Sequence, residues 1–237
     1  MKVLITGHKG FIGQHVYADW FSTHGNLVTG MDFPDDIADF NGGDYNLVIH
    51  LAAFADIRDS QENPEKYYYN NVTKAKKLFE WCREYNVRML YASSSAVEED
   101  YWSNPYGMTK WINEVMAPPN SVGMRFTTVY GPNGRGNMMY DLLQAKKAKY
   151  VTNHKRDWVH VKDVCRAIRY LAESDITGPV PVGNGESVSV RALANAFGQG
   201  DLPVVTDTPG EREDNVADIT ILKNLGWFPS VNIFDTI

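Results

Sequence analysis

The chain has 237 residues, room for one large domain or two interleaved lobes. Its 29 acidic residues exceed its 23 basic ones, giving a formal charge of −6, and 43% of residues are apolar against 22% charged. That is the usage of an ordinary folded domain; it excludes a disordered chain and gives no basic face for nucleic acid. No apolar run approaches the ~20 residues of a bilayer crossing, so no membrane contact is expected. The opening MKVLITGHKG reads as a strand and a turn, without the apolar core and cleavage site of a signal peptide. Cys82 and Cys165 are too few for a disulfide framework and have no partner at metal-ligand spacing, so a cytoplasmic protein without a metal is expected.

In chain order, KVLIT (2–6) is a β-rich run followed by glycines, and residues 11–23 carry Ile12, Val16, Trp20 and Phe21 at helical spacing. NLVTGMD (26–32) and NLVIHLAA (46–53) read as strands, the second apolar on both faces as buried parallel strands are. Pro64 opens a long amphipathic helix through Tyr85. VRMLYASSS (87–95) is a strand, residues 105–116 a helix stopped by Pro118-Pro119, and SVGMRFTTVY (121–130) another strand. This alternation predicts an α/β fold with a doubly wound, mostly parallel sheet. After Gly131 the texture shifts to short strands and helices near 137–149, 162–173 and 189–198. The expected organisation is a cofactor-type domain over 1–130 and a small C-terminal α/β lobe over 131–237, parts of which, such as 158–173, pack back on the first.

Gly7, Gly10 and Gly13 stand at G-x-x-G-x-x-G spacing between the first strand and the first helix. A tight turn, a close backbone approach and close helix packing each want a residue without Cβ, and free amides at the helix start then meet a pyrophosphate. The bland alternative is an ordinary βα turn. Asp32 closes the second strand, where a carboxylate accepts hydrogen bonds from ribose hydroxyls and repels a 2′-phosphate, which favours NAD over NADP.

Tyr106 and Lys110 in PYGMTK share one helix face at i, i+4. The spacing alone is weak, but the helix follows the strand ending Ser93-Ser94-Ser95, which brings phenol, ammonium and hydroxyls toward the carboxyl edge of the sheet. That set suits hydride transfer at a carbinol carbon. A phenol titrates near 10, so a base working at neutral pH needs roughly 4 kcal/mol of differential stabilisation of its phenolate. A lysine ammonium and a cationic nicotinamide both supply it. The alternative for the serines is a polar strand end that caps the next turn.

Together these residues resemble the extended short-chain dehydrogenase/reductases, and within them the NAD-dependent epimerase/dehydratase family. TGHKGFIG is similar to its glycine motif, VIHLAAFADIRDSQENP to its H-x-A-A…S…P stretch, and NNV, with Asn71, to its helix motif. YASSSAV, PYGMTK, RFTTVYGP, RDWVHVKDVCRAI, VGNGESVSVRALA and PGEREDNVADITILKNLGW follow in the family's order. The resemblance implies a Rossmann fold with NAD as cofactor. It implies that Gly7, Gly10, Phe11, Ile12 and Gly13 cradle the pyrophosphate, that Asp32 holds the adenosine ribose and that Phe33 is among the cofactor-binding residues. Asp36 and Ile37 then touch adenine, and Leu51, Ala52 and Ala53 line the dinucleotide. By the same transfer Ser94 is the catalytic hydroxyl, with Ser95 a close rival. Tyr106 is the acid/base, and Lys110 binds the nicotinamide ribose and favours the phenolate. Thr128, Asn137, Arg156 and Arg212 are the candidates for the substrate phosphates. A salt bridge to Asp157 or Asp163 is the plain alternative for Arg156.

The family's 4,6-dehydratases carry an Asp-Glu pair directly after the catalytic threonine; here those slots hold Ser95 and Ala96. The resemblance is therefore to the UDP-glucose 4-epimerase type, acting on a nucleotide sugar, a UDP-sugar first. An NAD(P)-dependent keto-sugar reductase and an NAD-binding but catalytically idle scaffold stay open as alternatives. Glu98-Glu99-Asp100 replaces the family's usual Tyr-Gly and the loop after it, and reads as a solvated turn. Residues 33–45 leave room for a crossover but not for strand, helix and strand, so at least one usual helix is expected to be missing there. Trp111, Met116 and the 64–85 helix are a candidate homodimer face, with burial in the chain's own core as the alternative.

Overall fold

The strand Lys2–Thr6 (β1) has Val3, Leu4 and Ile5 at 1% exposure or less, apolar on both faces because neighbours cover both. The computed structural model describes residues 1–22, 25–98, 101–206 and 213–237. The helix Phe11–Phe21 (α1) turns Phe11, Val16 and Trp20 inward. Two further strands, Leu27–Met31 (β2) and Leu47–His50 (β3), pair in parallel with β1 on its two sides, Val3 standing opposite Val28 and Leu47. Then come the helices Ile57–Glu62 (α2), Pro64–Tyr68 (α3) and Lys74–Glu84 (α4), the strand Arg88–Ser94 (β4), the helix Pro105–Met116 (α5) and the strand Ser121–Phe126 (β5).

The chain goes on through the strand Thr128–Tyr130 (β6), the helix Met139–Gln144 (α6), the strands Val151–Thr152 (β7) and Lys155–His160 (β8), and the helix Val161–Ala172 (α7). It ends with Gly178–Val182 (β9), Ser187–Ser189 (β10), the helix Val190–Ala196 (α8), Val204–Val205 (β11) and the short helix Thr220–Asn224 (α9). The main sheet has the order β2-β1-β3-β4-β5-β9. The usual doubly wound order is 3-2-1-4-5-6, so this is the Rossmann arrangement without the strand that would lie outside β2.

The reason lies in residues 33–45, which form only a 3₁₀ turn at Ile37–Asp39. Ile37 and Phe40 pack from this loop onto Val48, Leu78 and Phe79, so a loop covers that part of the sheet, as the short crossover requires. Other elements depart from the sequence reading. The long helix from Pro64 is broken by a π-helical turn at Tyr69–Thr73, and α2, capped by the Asp56 carboxylate, precedes it. The expected strand 121–130 is two strands in different sheets, β6 pairing in parallel with β8. The bend falls at Thr127, whose amide donates to the Val182 carbonyl and whose hydroxyl donates to Asp157.

By contact density the chain divides into one unit of Met1–Arg125 with Ile168–Val180 and another of Phe126–Ala167 with Pro181–Ile237. In the second, β8 lies between β10 and β6, and Tyr130, Tyr140, Leu143, Trp158 and Leu193 form a core. Its polar hub is Asp157, fully buried, which accepts from the amides of Asn184 (2.5 Å), Gly185 (2.9 Å) and Ala217 (3.0 Å) and from the Thr127 hydroxyl (3.2 Å). Burial pushes this carboxyl up while the four donors oppose the shift. Asp157→Ala leaves those donors without an acceptor, and we expect it to lower the unfolding free energy by about 3 kcal/mol or more, read by urea unfolding. A loss below 1 kcal/mol would show that the hub carries little.

Candidate active site

At the carboxyl end of β1 the chain turns through Gly7, whose φ of +72° is left-handed and whose missing Cβ would lie 2.6 Å from the Ala52 amide nitrogen. A Cβ on Gly13 would lie 1.9 Å from the Gly7 carbonyl oxygen. Only glycine lets the loop close on itself and on the segment after β3. Leu51 donates to the Thr6 carbonyl (3.1 Å), which keeps Leu51, Ala52 and Ala53 at this edge. Gly10 provides no side-chain cap to α1, which leaves the first-turn amides around Phe11, Ile12 and Gly13 without a capping side chain, the kind of helix start that suits an anion.

Asp32 follows β2. One carboxylate oxygen accepts from the Lys9 amide and the other from the Phe33 amide, each at 2.8 Å. The Lys9 ammonium donates to the Phe33 carbonyl at 2.7 Å. Both oxygens are thus aimed by the backbone and each keeps a lone pair for a further donor, while the Phe33 ring is 83% exposed. A turn that only glycines can make, before an uncapped helix start, and a fixed carboxylate at the neighbouring strand end suit a dinucleotide. Asp36 has partners within the chain. Its carboxylate caps the 3₁₀ turn at the Ala38 amide and pairs with Lys74 at 2.5 Å, and these contacts hold it below the usual carboxylate range. Ile37 belongs to the core.

The Tyr-Lys helix is fixed from several sides. Pro105 begins α5 without an N–H, and the next two amides are satisfied by side chains: Tyr106 donates to Ser60 (3.2 Å) and Gly107 to Asn104 (2.7 Å). The Tyr106 carbonyl accepts from Thr109, which accepts in turn from Asn71. Asn71, in the π-helical turn, also exchanges hydrogen bonds with the Phe54 backbone in both directions. The motif letters for Ser60 and Asn71 stand in the sequence, but nothing in their spacing shows that they hold the tyrosine backbone.

Lys110 is 2% exposed; its ammonium donates to the Ala92 carbonyl at 2.8 Å and lies 5.7 Å from the Tyr106 ring centre. Ala92 stands two residues before Ser94, so β4 brings the ammonium and the serine end together. Ser94 and Ser95 are both buried, and the Ser94 hydroxyl accepts from the Ala96 amide, the capping role given as its plain alternative. His50, at the end of β3, is the residue that sequence reasoning missed. It is buried, its Nδ1 lies 2.7 Å from the Thr6 hydroxyl, and burial together with the Lys110 charge pushes its pKa down to about 3.

Of the substrate candidates, Thr128 and Arg156 are half-buried in β6 and β8, Asn137 is exposed and Arg212 lies outside the described residues, as do Glu99 and Asp100 of the expected solvated turn. The Arg156 guanidinium lies 2.7 Å from His154 Nδ1 and donates to the Lys155 carbonyl. The anticipated partners are occupied elsewhere: Asp157 takes three amides, and Asp163 takes Arg166, the Ser230 hydroxyl and the amides of Ser230 and Val231. Among the described residues no three His, Cys, Asp or Glu side chains form a metal-binding group, and no helix is long and apolar enough to cross a membrane.

The model of the NAD dependent epimerase/dehydratase family matches residues 3–183. The chain belongs to that family. It is 31% identical to Protein CapI of Staphylococcus aureus, with 100% of this chain and 96% of that protein covered. It is 30% identical to UDP-glucuronate 4-epimerase 2 of Arabidopsis thaliana, over 88% of this chain and 62% of that one. Among solved structures it superposes on MoeE5 in complex with UDP-glucose and NAD with a TM-score of 0.88 at 26% identity, covering 99% of this chain and 95% of the other. The CapI alignment runs over 322 positions against 237 residues here, so this family member omits internal stretches that the relative keeps.

His50 gives the folded protein a signature in acid. Above pH 6.5 the imidazole is neutral in both folded and unfolded chains and contributes no pH dependence. Below it the unfolded chain takes up a proton that the folded site refuses until about pH 3, so stability falls as the pH falls through that window. We expect the stability difference between wild type and His50→Gln to shrink by up to roughly 1 kcal/mol per pH unit between pH 6 and pH 4. Parallel stability curves for the two proteins, from urea unfolding at each pH, would rule this out.

Proposed function

We propose that the protein is an NAD-dependent nucleotide-sugar 4-epimerase of the UDP-sugar type. The observation that carries the proposal is the buried Lys110 ammonium, fixed to β4 beside the serine end and set under the Tyr106 ring on the same helix face. A cation there favours the phenolate of Tyr106, which is what a base toward a sugar hydroxyl requires. NAD, when bound, supplies the acceptor and donor of the hydride at that carbon.

The chain's own residues have distinct tasks. Tyr106 takes the proton of the C4 hydroxyl and returns it. Ser94, with Ser95 as its rival, holds the oxygen that loses and regains that proton. Lys110 keeps the phenol ionisable and binds the nicotinamide ribose. Gly7, Gly10 and Gly13 admit the pyrophosphate, and Asp32 accepts from the adenosine ribose. The roles of Thr128, Asn137, Arg156 and Arg212 toward the substrate phosphates rest on motif position. Ser95 and Ala96, in place of an acidic pair, provide no acid/base groups for loss of water, which favours epimerisation over dehydration. The names of the relatives support a UDP-hexose or UDP-hexuronate: the Arabidopsis protein is a UDP-glucuronate 4-epimerase, and MoeE5 has been solved with UDP-glucose and with UDP-glucuronic acid. The proposal extends to a cytoplasmic location, in keeping with two free, buried cysteines, and to a homodimer through α4 and α5, where Val115 is 66% exposed.

The test is to release cofactor from the purified protein with heat or acid, identify it, and assay C4 epimers of UDP-glucose and UDP-glucuronate. Tyr106→Phe is expected to lose about a thousandfold in turnover while still binding NAD. Turnover unchanged in that variant would remove Tyr106 from the reaction, and net reduction with exchangeable NADH or NADPH would favour a keto-sugar reductase. Asp32→Ala should weaken NAD binding about tenfold or more, read by titration of the apoprotein.

A further inference from the structure

One turn beyond Lys110, α5 carries a second charge out of water. The Glu114 side chain is 8% exposed; one of its oxygens accepts from the Ser93 hydroxyl (2.6 Å) and from Arg125 Nε (2.9 Å), and the other from Arg125 Nη2 (2.7 Å). Ser93 directly precedes Ser94 on β4, and Arg125 stands on β5, the next strand of the sheet. From this geometry we infer that Ser93, Glu114 and Arg125 are positioning residues which hold the Tyr106–Lys110 helix in register with the serine end of β4. The inference rests on the reading of Tyr106 and Lys110 as the acid/base pair.

The three bonds fix what apolar packing leaves free. Apolar side chains tolerate a helix that slides or rolls by a fraction of an ångström; a bidentate guanidinium–carboxylate pair with a third donor does not. Stability alone gives a weak reason for such a group, because a buried ion pair is commonly matched by well-packed apolar side chains. Its placement gives a stronger one. Tyr106, Lys110 and Glu114 recur at i, i+4 and i+8 on one face of α5, and the last two are tied to successive residues of β4, Ala92 and Ser93. The strands beneath are close as well: a Cβ on Gly123 of β5 would lie 2.5 Å from the Tyr91 hydroxyl of β4. With Ser93 silent, α5 keeps its tie to β5 through Arg125 and its tie to β4 through Lys110 and Ala92, and loses the second point that fixes it along β4.

The charged and titratable groups around this face are Tyr106, Lys110 and Glu114 on α5, His50 on β3, Tyr91 on β4, Glu98 just beyond it, and Arg125 on β5. Of these, the Lys110 ammonium is the one whose distance governs the phenol. A looser helix moves it away on average and makes the phenolate harder to form.

Ionisation of Tyr106 is read without turnover as the ultraviolet titration of the NAD-loaded protein near 295 nm minus that of Tyr106→Phe. In Ser93→Ala we expect the Tyr106 midpoint to rise by about one pH unit. Ser93→Thr, which restores a hydroxyl donor, should return it to the wild-type value, and Glu114→Gln should raise it where it folds. A role confined to stability would lower the melting temperature of Ser93→Ala and leave the midpoint in place, and that result would overturn the inference. Turnover retained by Tyr106→Phe would remove the acid/base reading instead, an outcome distinct from an unmoved midpoint.

Discussion

Lys110 carries its ammonium into a part of the molecule where 2% of the residue meets solvent, and a charge removed from water has to be met by oriented dipoles or counter-charges. Its surroundings follow from that requirement. The Ala92 carbonyl takes one of its hydrogens, which ties α5 to β4. The Tyr106 ring lies over it one turn earlier, and the Glu114 carboxylate, already neutralised by Arg125, stands one turn later. His50 cannot become a second cation beside it and stays neutral. The Thr6 hydroxyl lies 2.7 Å from His50 Nδ1 and accepts from the Ala52 amide at 3.4 Å. One buried cation thus lies beside a phenol on its own helix and, with burial, keeps an imidazole on β3 neutral.

The same edge explains how the chain is shorter than its relatives without losing the cofactor site. The missing part of the sheet is its outermost strand, beyond β2, yet the groups fitted to a dinucleotide stand at the ends of β1, β2 and β3. Asp32 shows why the outer strand is dispensable. Its carboxylate is aimed by the Lys9 amide of the glycine loop and by the amide of Phe33, both on the inner side, so nothing beyond β2 is needed to orient it. The loop 33–45 then has only to cover apolar surface, and Ile37 and Phe40 do so without a helix.

The strongly patterned parts of this architecture were legible in the sequence. β1 and β3 are continuous apolar runs, α5 is bounded by Pro105 and the Pro118-Pro119 pair, and the glycine spacing marks the turn that Gly7 and Gly13 make. The breaks were not legible. A π-helical turn at 69–73 adds one residue to a helical period and leaves composition untouched, so the helix from Pro64 reads as unbroken. α2 buries only Ser60 among its six residues, too little for an apolar stripe. Residues 121–130 have unbroken β-propensity, and the bend at Thr127 depends on Asp157 and Val182, partners 30 and 55 residues away. Within the candidate site Tyr106, Lys110 and the serines were singled out from residue type and order. Their supports, Ser60 under the Tyr106 amide and Glu114 against Ser93, act through burial and long-range contact, which spacing does not encode.

Arg156 and Asp157 show how a neighbouring pair of opposite charges misleads on a strand. Adjacent in sequence, they offer a salt bridge as the plain alternative to a phosphate role, but successive residues of a strand point to opposite faces. Asp157 turns inward and gathers the amides of Asn184, Gly185 and Ala217; Arg156 shares its face with His154, two residues before it, and rests on that imidazole. The aspartate therefore acts on the arginine through the backbone. By fixing β8 against two later segments of the chain it fixes the face on which Arg156 stands.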